Sequence, residues 1–278
     1  MKFIHLSDTH LLSYPHKIFD LNMKERLIKA IQSINKNHSD ATFCAITGDI
    51  THWGESVGFE QFLSIMKKLN IPWHPIPGNH DTRNIFLQIL KNLKLDDPQF
   101  IQYTIKHPEG IFLFLDTLDE GKASGILCET RLMWLKKELN KTTPESRVFI
   151  LMHHAPMNVG IGALDQIKLS NSGNFKKLIH SHPQIRHLFF GHLHRTCHGV
   201  WAGIPFSAVK ATAHQTVLNL NDKPLEVANK ETPGYAIVLI KGDTTIIHNH
   251  EYLTEDEIIP YNRGRPKSSK TTPINQKG

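Results

Sequence analysis

Five short apolar runs in this chain each end in a cluster of Asp, Asn and His, and that repeated junction limits what the chain can fold into. Ser7-Asp8-Thr9-His10 follows residues 3–6, Thr47-Gly48-Asp49 closes 43–47, and Pro77-Gly78-Asn79-His80-Asp81 follows 73–76. His153-His154-Ala155-Pro156 follows 148–152, and Gly191-His192-Leu193-His194 follows 188–190. Runs of this length bounded by turn formers are the pattern of buried strands. Amphipathic stripes lie between them: Met23, Leu27, Ile31 and Ile34; Phe59, Phe62, Leu63, Met66 and Leu69; Leu132, Leu135 and Leu139. Strand and helix in alternation specify an α/β fold with parallel strands. The carboxyl ends of such strands share one edge of the sheet, so the five polar clusters are expected to converge there.

Further strands are expected at 111–115, 235–240 and 244–248. Helical signals fade after Gly191, and the strands that follow, up to about Tyr252, are expected to form a mostly antiparallel half sheet completing the core. Residues 155–172, with Pro156, Gly160 and Gly162, read as a long loop bordering the site.

A chain of 278 residues needs only one large domain. That domain is expected over 1–255, with a basic, disordered tail at 256–278. Five of the six formal positive charges fall in residues 262–278, where Arg263, Arg265, Lys267, Lys270 and Lys277 stand without an acidic residue. The body is thus close to neutral, which disfavours a nucleic acid polymer as partner. Cys44, Cys128 and Cys197 form no C-x-x-C pair, so a reducing compartment fits better than a disulfide framework. His5 and Asp8 interrupt the first apolar run, and no segment approaches the ~20 apolar residues of a membrane helix. A cytoplasmic protein is expected, with self-association into a homo-oligomer left open.

The clusters offer oxygen and imidazole donors without thiolate, a set suited to Mn, Fe, Zn or Mg. Asp8 and His10, two apart on an extended segment, would share a face and one ion. Seven groups exceed what one tetrahedral ion needs. They suffice for two ions ~3.5–4 Å apart if a carboxylate bridges them, and Asp49 is the natural bridge. Alternation along the strand lets only one of His153 and His154 coordinate metal.

In order and type these motifs resemble the calcineurin-like metallophosphoesterases, whose pattern runs D-x-H, G-D, G-N-H-D/E, H and G-H-x-H; the match extends from about Ile4 to His194. The resemblance implies a four-layer α/β/β/α sandwich of two mixed β-sheets flanked by helices. It implies one metal held by Asp8, His10, Asp49 and His194, and a second by Asp49, Asn79, His153 and His192. The two divalent ions would be Fe, Mn, Zn or Co. The short chain, the Gly-Asn-His-Asp motif and His-His-Ala-Pro are most similar to bacterial class III cyclic nucleotide phosphodiesterases and glycerophosphodiesterases. Thr212-Ala213-His214-Gln215 resembles a T-x-H-Q segment of the latter. Protein phosphatases are disfavoured, because Ile50-Thr51-His52-Trp53-Gly54 lacks the Arg of their G-D-x-x-D-R-G.

The chemistry expected is hydrolysis of a small phosphodiester, cyclic AMP favoured. Two cations would lower the pKa of a shared water from about 15.7 towards neutrality and yield a hydroxide nucleophile. His80 is expected to contact phosphate or protonate the leaving alkoxide, and Asp81 to orient an imidazole. Asn79, His80, His154 and His214 are the expected substrate contacts, with Ile161, Leu164 and Ile167 packing on a base or alkyl group. His52, three residues beyond Asp49, is a less favoured substrate contact. Glycerophosphodiester hydrolysis is the alternative, and a non-catalytic scaffold the alternative of another class. Chelation should abolish activity and two equivalents of divalent cation per chain should restore it; full turnover in a sample free of metal by elemental analysis would contradict this reading.

Overall fold

The structure, a computed structural model, describes residues 1–254 except 14, 15, 92, 98 and 221–227; the expected tail and its boundary lie outside the described residues. A first sheet joins β1 (Lys2–Leu6), β2 (Cys44–Thr47) and β3 (Trp73–Ile76), all parallel, to the antiparallel hairpin of β12 (Gly234–Lys241) and β13 (Thr244–Glu251). Its order is β13-β12-β1-β2-β3. A second sheet contains β4 (Tyr103–His107), β5 (Gly110–Phe114), β6 (Val148–Met152), β7 (Ile185–Phe190), β8 (Cys197–Trp201) and β9 (Ile204–Ala208). Its order is β4-β5-β6-β7-β9-β8, with parallel pairing from β5 to β9 and an antiparallel strand at each edge. A short antiparallel pair, β10 (Gln215–Thr216) and β11 (Ala228–Asn229), stands apart.

Alternation along the strands decides the layering. Phe112, Phe114, Phe149, Leu151 and Phe189 pack with the first sheet, whereas Leu113, Leu115, Val148, Ile150, Met152, Leu188 and Phe190 belong to a separate core on the other face. One side chain in two therefore points to each side of the second sheet. Between the sheets the Phe3 ring meets Phe112 at 5.5 Å and Phe189 at 5.4 Å, both edge-on, and Phe43 meets Phe112 at 5.1 Å. The outer faces are covered by helices. α1 (Met23–Asn37) and α2 (Ser56–Met66) contribute Leu27, Ile31, Phe59 and Phe62 to the first core. α4 (Glu129–Asn140) and α6 (Ser172–His180) contribute Leu135, Leu139, Phe175 and Ile179 to the second. The result is the expected four-layer sandwich of two mixed sheets flanked by helices.

Two expectations change. Apart from the short β10–β11 pair, the described strands after Gly191 are divided between the two sheets. β8 and β9 extend the second sheet, β9 running parallel to β7, and β12 and β13 extend the first. The open edges of β1 and β7 provide the pairing, and each recruits the apolar strand that reaches it. Residues 155–172 are not an open loop either: they contain the helical turn α5 (Gly162–Gln166), and Leu169 N–H donates to Ala155 O at 3.0 Å. The remaining helix, α3 (Arg83–Ile89), escaped the sequence reading because seven residues carry too few turns for a periodic signal. Phe112→Ala should lower stability by about 4 kcal/mol, since it empties an aromatic contact between the sheets; denaturant midpoints measure this.

Candidate metal centre

All five polar clusters meet where the carboxyl ends of the two sheets face each other. Asp8, His10, Asp49, His153, His192 and His194 are buried, and Asn79 is half-buried. Ligand atoms of Asp8, His10, Asp49 and His194 lie within 4.8 Å of one another. Asp49 Oδ2 lies 3.5 Å from His10 Nε2 and 3.4 Å from His153 Nε2, so one carboxylate oxygen sits between two imidazoles. His153 Nε2 is also 3.1 Å from Asn79 Oδ1. His194 Nε2 lies 3.4 Å from Asp8 Oδ1 and 3.0 Å from His10 Nε2.

The backbone that delivers these groups is unusual. Asp8, His10, Asp49, His192 and His194 all have positive φ, between 44° and 65°. A non-glycine residue pays steric strain there, and five such residues in one site mark a conformation imposed by the surrounding fold. The extended segment assumed for Asp8 and His10 is therefore replaced by left-handed turns, and the two side chains converge for that reason. Gly48 makes room: its φ is 94°, and a Cβ there would approach His153 Nδ1 to 2.5 Å.

Hydrogen bonds on the far side of each ring fix which nitrogen faces inward. His153 Nδ1 donates to Thr47 O at 2.6 Å and His194 Nδ1 to His214 O at 2.9 Å, leaving each Nε2 lone pair directed at the cluster. His10 Nδ1 is 3.1 Å from His52 Nδ1. His52, a less favoured substrate contact on sequence grounds, thus sets the orientation of His10, and its ring also stacks on His80 at 5.0 Å. Burial and the neighbouring His80 lower His52 to about 4.

The electrostatics favour cations. Burial pushes the Asp49 carboxyl up, but the imidazoles of His153, His80 and His10 override it and hold it well below the usual range. Burial pulls His153 down, and the carboxylates of Asp49 and Asp8 override that and raise it to about 9. His192 is lowered to about 3 by burial and by His153, and its Nε2 is buried without a hydrogen-bond partner among the described residues. An orphaned imidazole nitrogen beside two buried carboxylates fits a divalent metal ion, and the oxygen and nitrogen donor set fits the transition metals.

Other expected residues divide. His80 lines a cavity of about 290 Å³ over the cluster, its N–H donating to Asp49 Oδ1 and its Nδ1 to His52 O. His214 lines the same cavity with its ring 4.5 Å from that of His194. Leu164 and Ile167 reach it too, whereas Ile161 is buried in the second core. His154 does not reach it. Its ring is fully buried, Nδ1 is 2.8 Å from Thr117 Oγ1 and Nε2 is 3.2 Å from Ala123 O, so both nitrogens are engaged by protein. Among the described residues Asp81 orients no imidazole. Its carboxylate accepts from the N–H groups of Ile50, Thr51 and Gly78 and from Thr51 Oγ1, which ties the Asp49 loop to the Asn79 loop. Phe19, with no signal in the local sequence, also lines the cavity.

A buried Asp/His/Asn cluster at the seam of two mixed sheets defines a metal-dependent hydrolase. Residues 1–196 match the family of calcineurin-like phosphoesterases, and the chain belongs to that family, whose members hydrolyse phosphoesters. It is 33% identical over 261 residues to a probable cyclic nucleotide phosphodiesterase of Rhodopseudomonas palustris, covering 93% of this chain and 95% of that one. It is 29% identical over 220 residues to a probable glycerophosphodiester phosphodiesterase of Arcobacter nitrofigilis, covering 78% and 80%. A dimetal phosphatase from Danio rerio has a similar fold, with a TM-score of 0.68 at 14% identity over 90% of this chain and 96% of that one. Asp81→Ala should destabilise the protein by about 3 kcal/mol, because three buried N–H groups lose their acceptor; thermal unfolding of the metal-free protein would register it.

Proposed function

We propose that the protein is a dinuclear phosphodiesterase acting on a small diester, with a 3′,5′-cyclic nucleotide as the favoured substrate. The observation that carries this reading is the cavity of about 290 Å³, which joins the buried ligand cluster to the apolar side chains of Phe19, Leu164 and Ile167. A phosphate can meet the cluster while one compact organic group rests on the apolar wall. The likeness to the Rhodopseudomonas palustris phosphodiesterase over nearly the whole of both chains supports the same substrate class. Asp8, His10, Asp49 and His194 would hold one divalent ion, and Asp49, Asn79, His153 and His192 the other, with Fe, Mn, Zn and Co as the candidates. Bound there, the ions would supply Lewis-acid charge to the phosphate and acidify water towards neutrality.

The chain's own residues do the rest. Asn79 and His80 follow the third strand into the cavity. Because His80 Nδ1–H donates to His52 O, the other ring nitrogen is the one free to meet substrate, and when the ring carries a second proton there it contacts phosphate as a donor and gives that proton to the departing alkoxide, returning to the neutral imidazole. His214, with its backbone oxygen holding His194 and its ring in the cavity, contacts the organic group. Metals treat every diester alike, so discrimination falls to the cavity wall. The likeness to the Arcobacter nitrofigilis protein supports glycerophosphodiesters as the second substrate class. No helix among the described residues is long and apolar enough to cross a membrane.

Metal-loaded protein should turn over cyclic AMP with a higher kcat/KM than glycerophosphocholine; the reverse ratio would assign the second class. His80→Ala should keep both metals and lower kcat about 10²-fold, the usual contribution of one positioned acid, whereas Asp49→Ala should lose the metals themselves.

A further inference from the structure

Phe19 is held in a place that packing alone does not explain. Residues Ile18 and Leu21 pair as an isolated antiparallel bridge, with Leu21 N–H donating to Ile18 O at 2.9 Å, so Phe19 and Asp20 form a two-residue turn. Both have positive φ, 51° and 62°. Turns with two such residues strongly prefer Asn and Gly, and a bulky aromatic there is strained by roughly 1–2 kcal/mol. The strain is not offset by burial, because Phe19 remains 53% exposed. Ile18 is 8% exposed and anchors the turn, and Lys230 pairs with Asp20 at 3.2 Å from the other side.

What the strained turn achieves is position. The Phe19 ring lines the cavity over the ligand cluster and meets His214 edge-on at 5.0 Å, with a 71° interplanar angle. His214 in turn lies against His194 of the cluster, at 4.5 Å. The aromatic face is therefore one ring away from the site of phosphate chemistry. In a nucleotide, likewise, one ring, the sugar, stands between the phosphate and the base. Leu164 and Ile167 add apolar surface to the same cavity.

We infer that Phe19 is a specificity-determining residue, a stacking platform for the flat base of a nucleotide substrate, presented over the metal cluster by a strained two-residue turn. This deepens the cyclic-nucleotide reading above and rests on it. A glycerophosphodiester has no flat ring to stack, so the residue discriminates between the two substrate classes.

The test uses the metal-loaded full chain and bis(4-nitrophenyl) phosphate as reporter substrate, with AMP and inorganic phosphate as competing probes. Stacking of a base on an aromatic ring is lost on truncation by about tenfold in affinity. Phe19→Ala should therefore raise the inhibition constant of AMP about tenfold and leave that of phosphate within about twofold. Phe19→Trp should restore AMP binding. Phe19→Asn, better suited to the turn, should weaken AMP equally while leaving Tm unchanged or higher, which a merely structural aromatic would not do. Equal changes for AMP and phosphate, no change for either, or a lowered Tm for Phe19→Asn with AMP binding intact would overturn the proposal. Direct turnover of cyclic AMP by the unaltered protein is measured separately. Its absence would reject the cyclic-nucleotide substrate, while the AMP and phosphate constants still decide the role of Phe19.

Discussion

Two carboxylates, Asp8 and Asp49, are buried at 0% and 2% exposure where the sheets meet, and the architecture around them answers that one electrostatic demand. A lone buried carboxylate would take up a proton, because desolvation penalises its charge. Here His153 and His194 face the two acids, and both imidazoles are raised above the ordinary histidine value. The two carboxylates thus favour positive charge at this place. The same geometry lets divalent cations take that role, since ligand imidazoles must be neutral and metal binding displaces their protons.

That arrangement costs backbone strain, and the fold supplies the restraint. The five left-handed non-glycine residues of the site are held because two parallel strand sets end at the same level and their following turns interlock. Asp8 N–H donates to Gly48 O and His10 N–H to Asp49 O, and His192 N–H donates to the Asp8 carboxylate. Asp81 closes the set by accepting three N–H groups from two of the turns. Its own carboxyl is raised to about 6, by burial and by the Asp49 charge, so it is held for its hydrogen bonds and not for easy ionisation. The site is thus a lattice of backbone amides around a charged centre, and the imidazoles hang on it.

Much of this could be read directly. Strand ends carrying Asp, Asn and His announced both the parallel sheets and the convergence of the clusters, because strand direction alone puts carboxyl ends on one edge. Residues whose role depends on a partner far along the chain were read less well. His154 looked like a substrate contact until Thr117 and Ala123 were seen to occupy both of its nitrogens, and Asp81 looked like an imidazole partner until three amides claimed its carboxylate. His52 seemed peripheral because its bond to His10 crosses between two turns. Phe19 carried no signal, since its turn lacks the Gly and Asn that mark such turns.

The sequence by itself determined the chemistry available: which donor atoms exist, that they follow strands, and that they are oxygen and imidazole donors suited to divalent cations. Periodicity and residue type are local properties, and local properties survive in a linear string. Tertiary structure alone decided the division of late strands between two sheets, the left-handed entry of each ligand, the face each histidine presents and the aromatic wall above the cluster. Each of those depends on contacts between residues tens to hundreds of positions apart, where burial and hydrogen-bond partners are set by packing, and no local pattern encodes them.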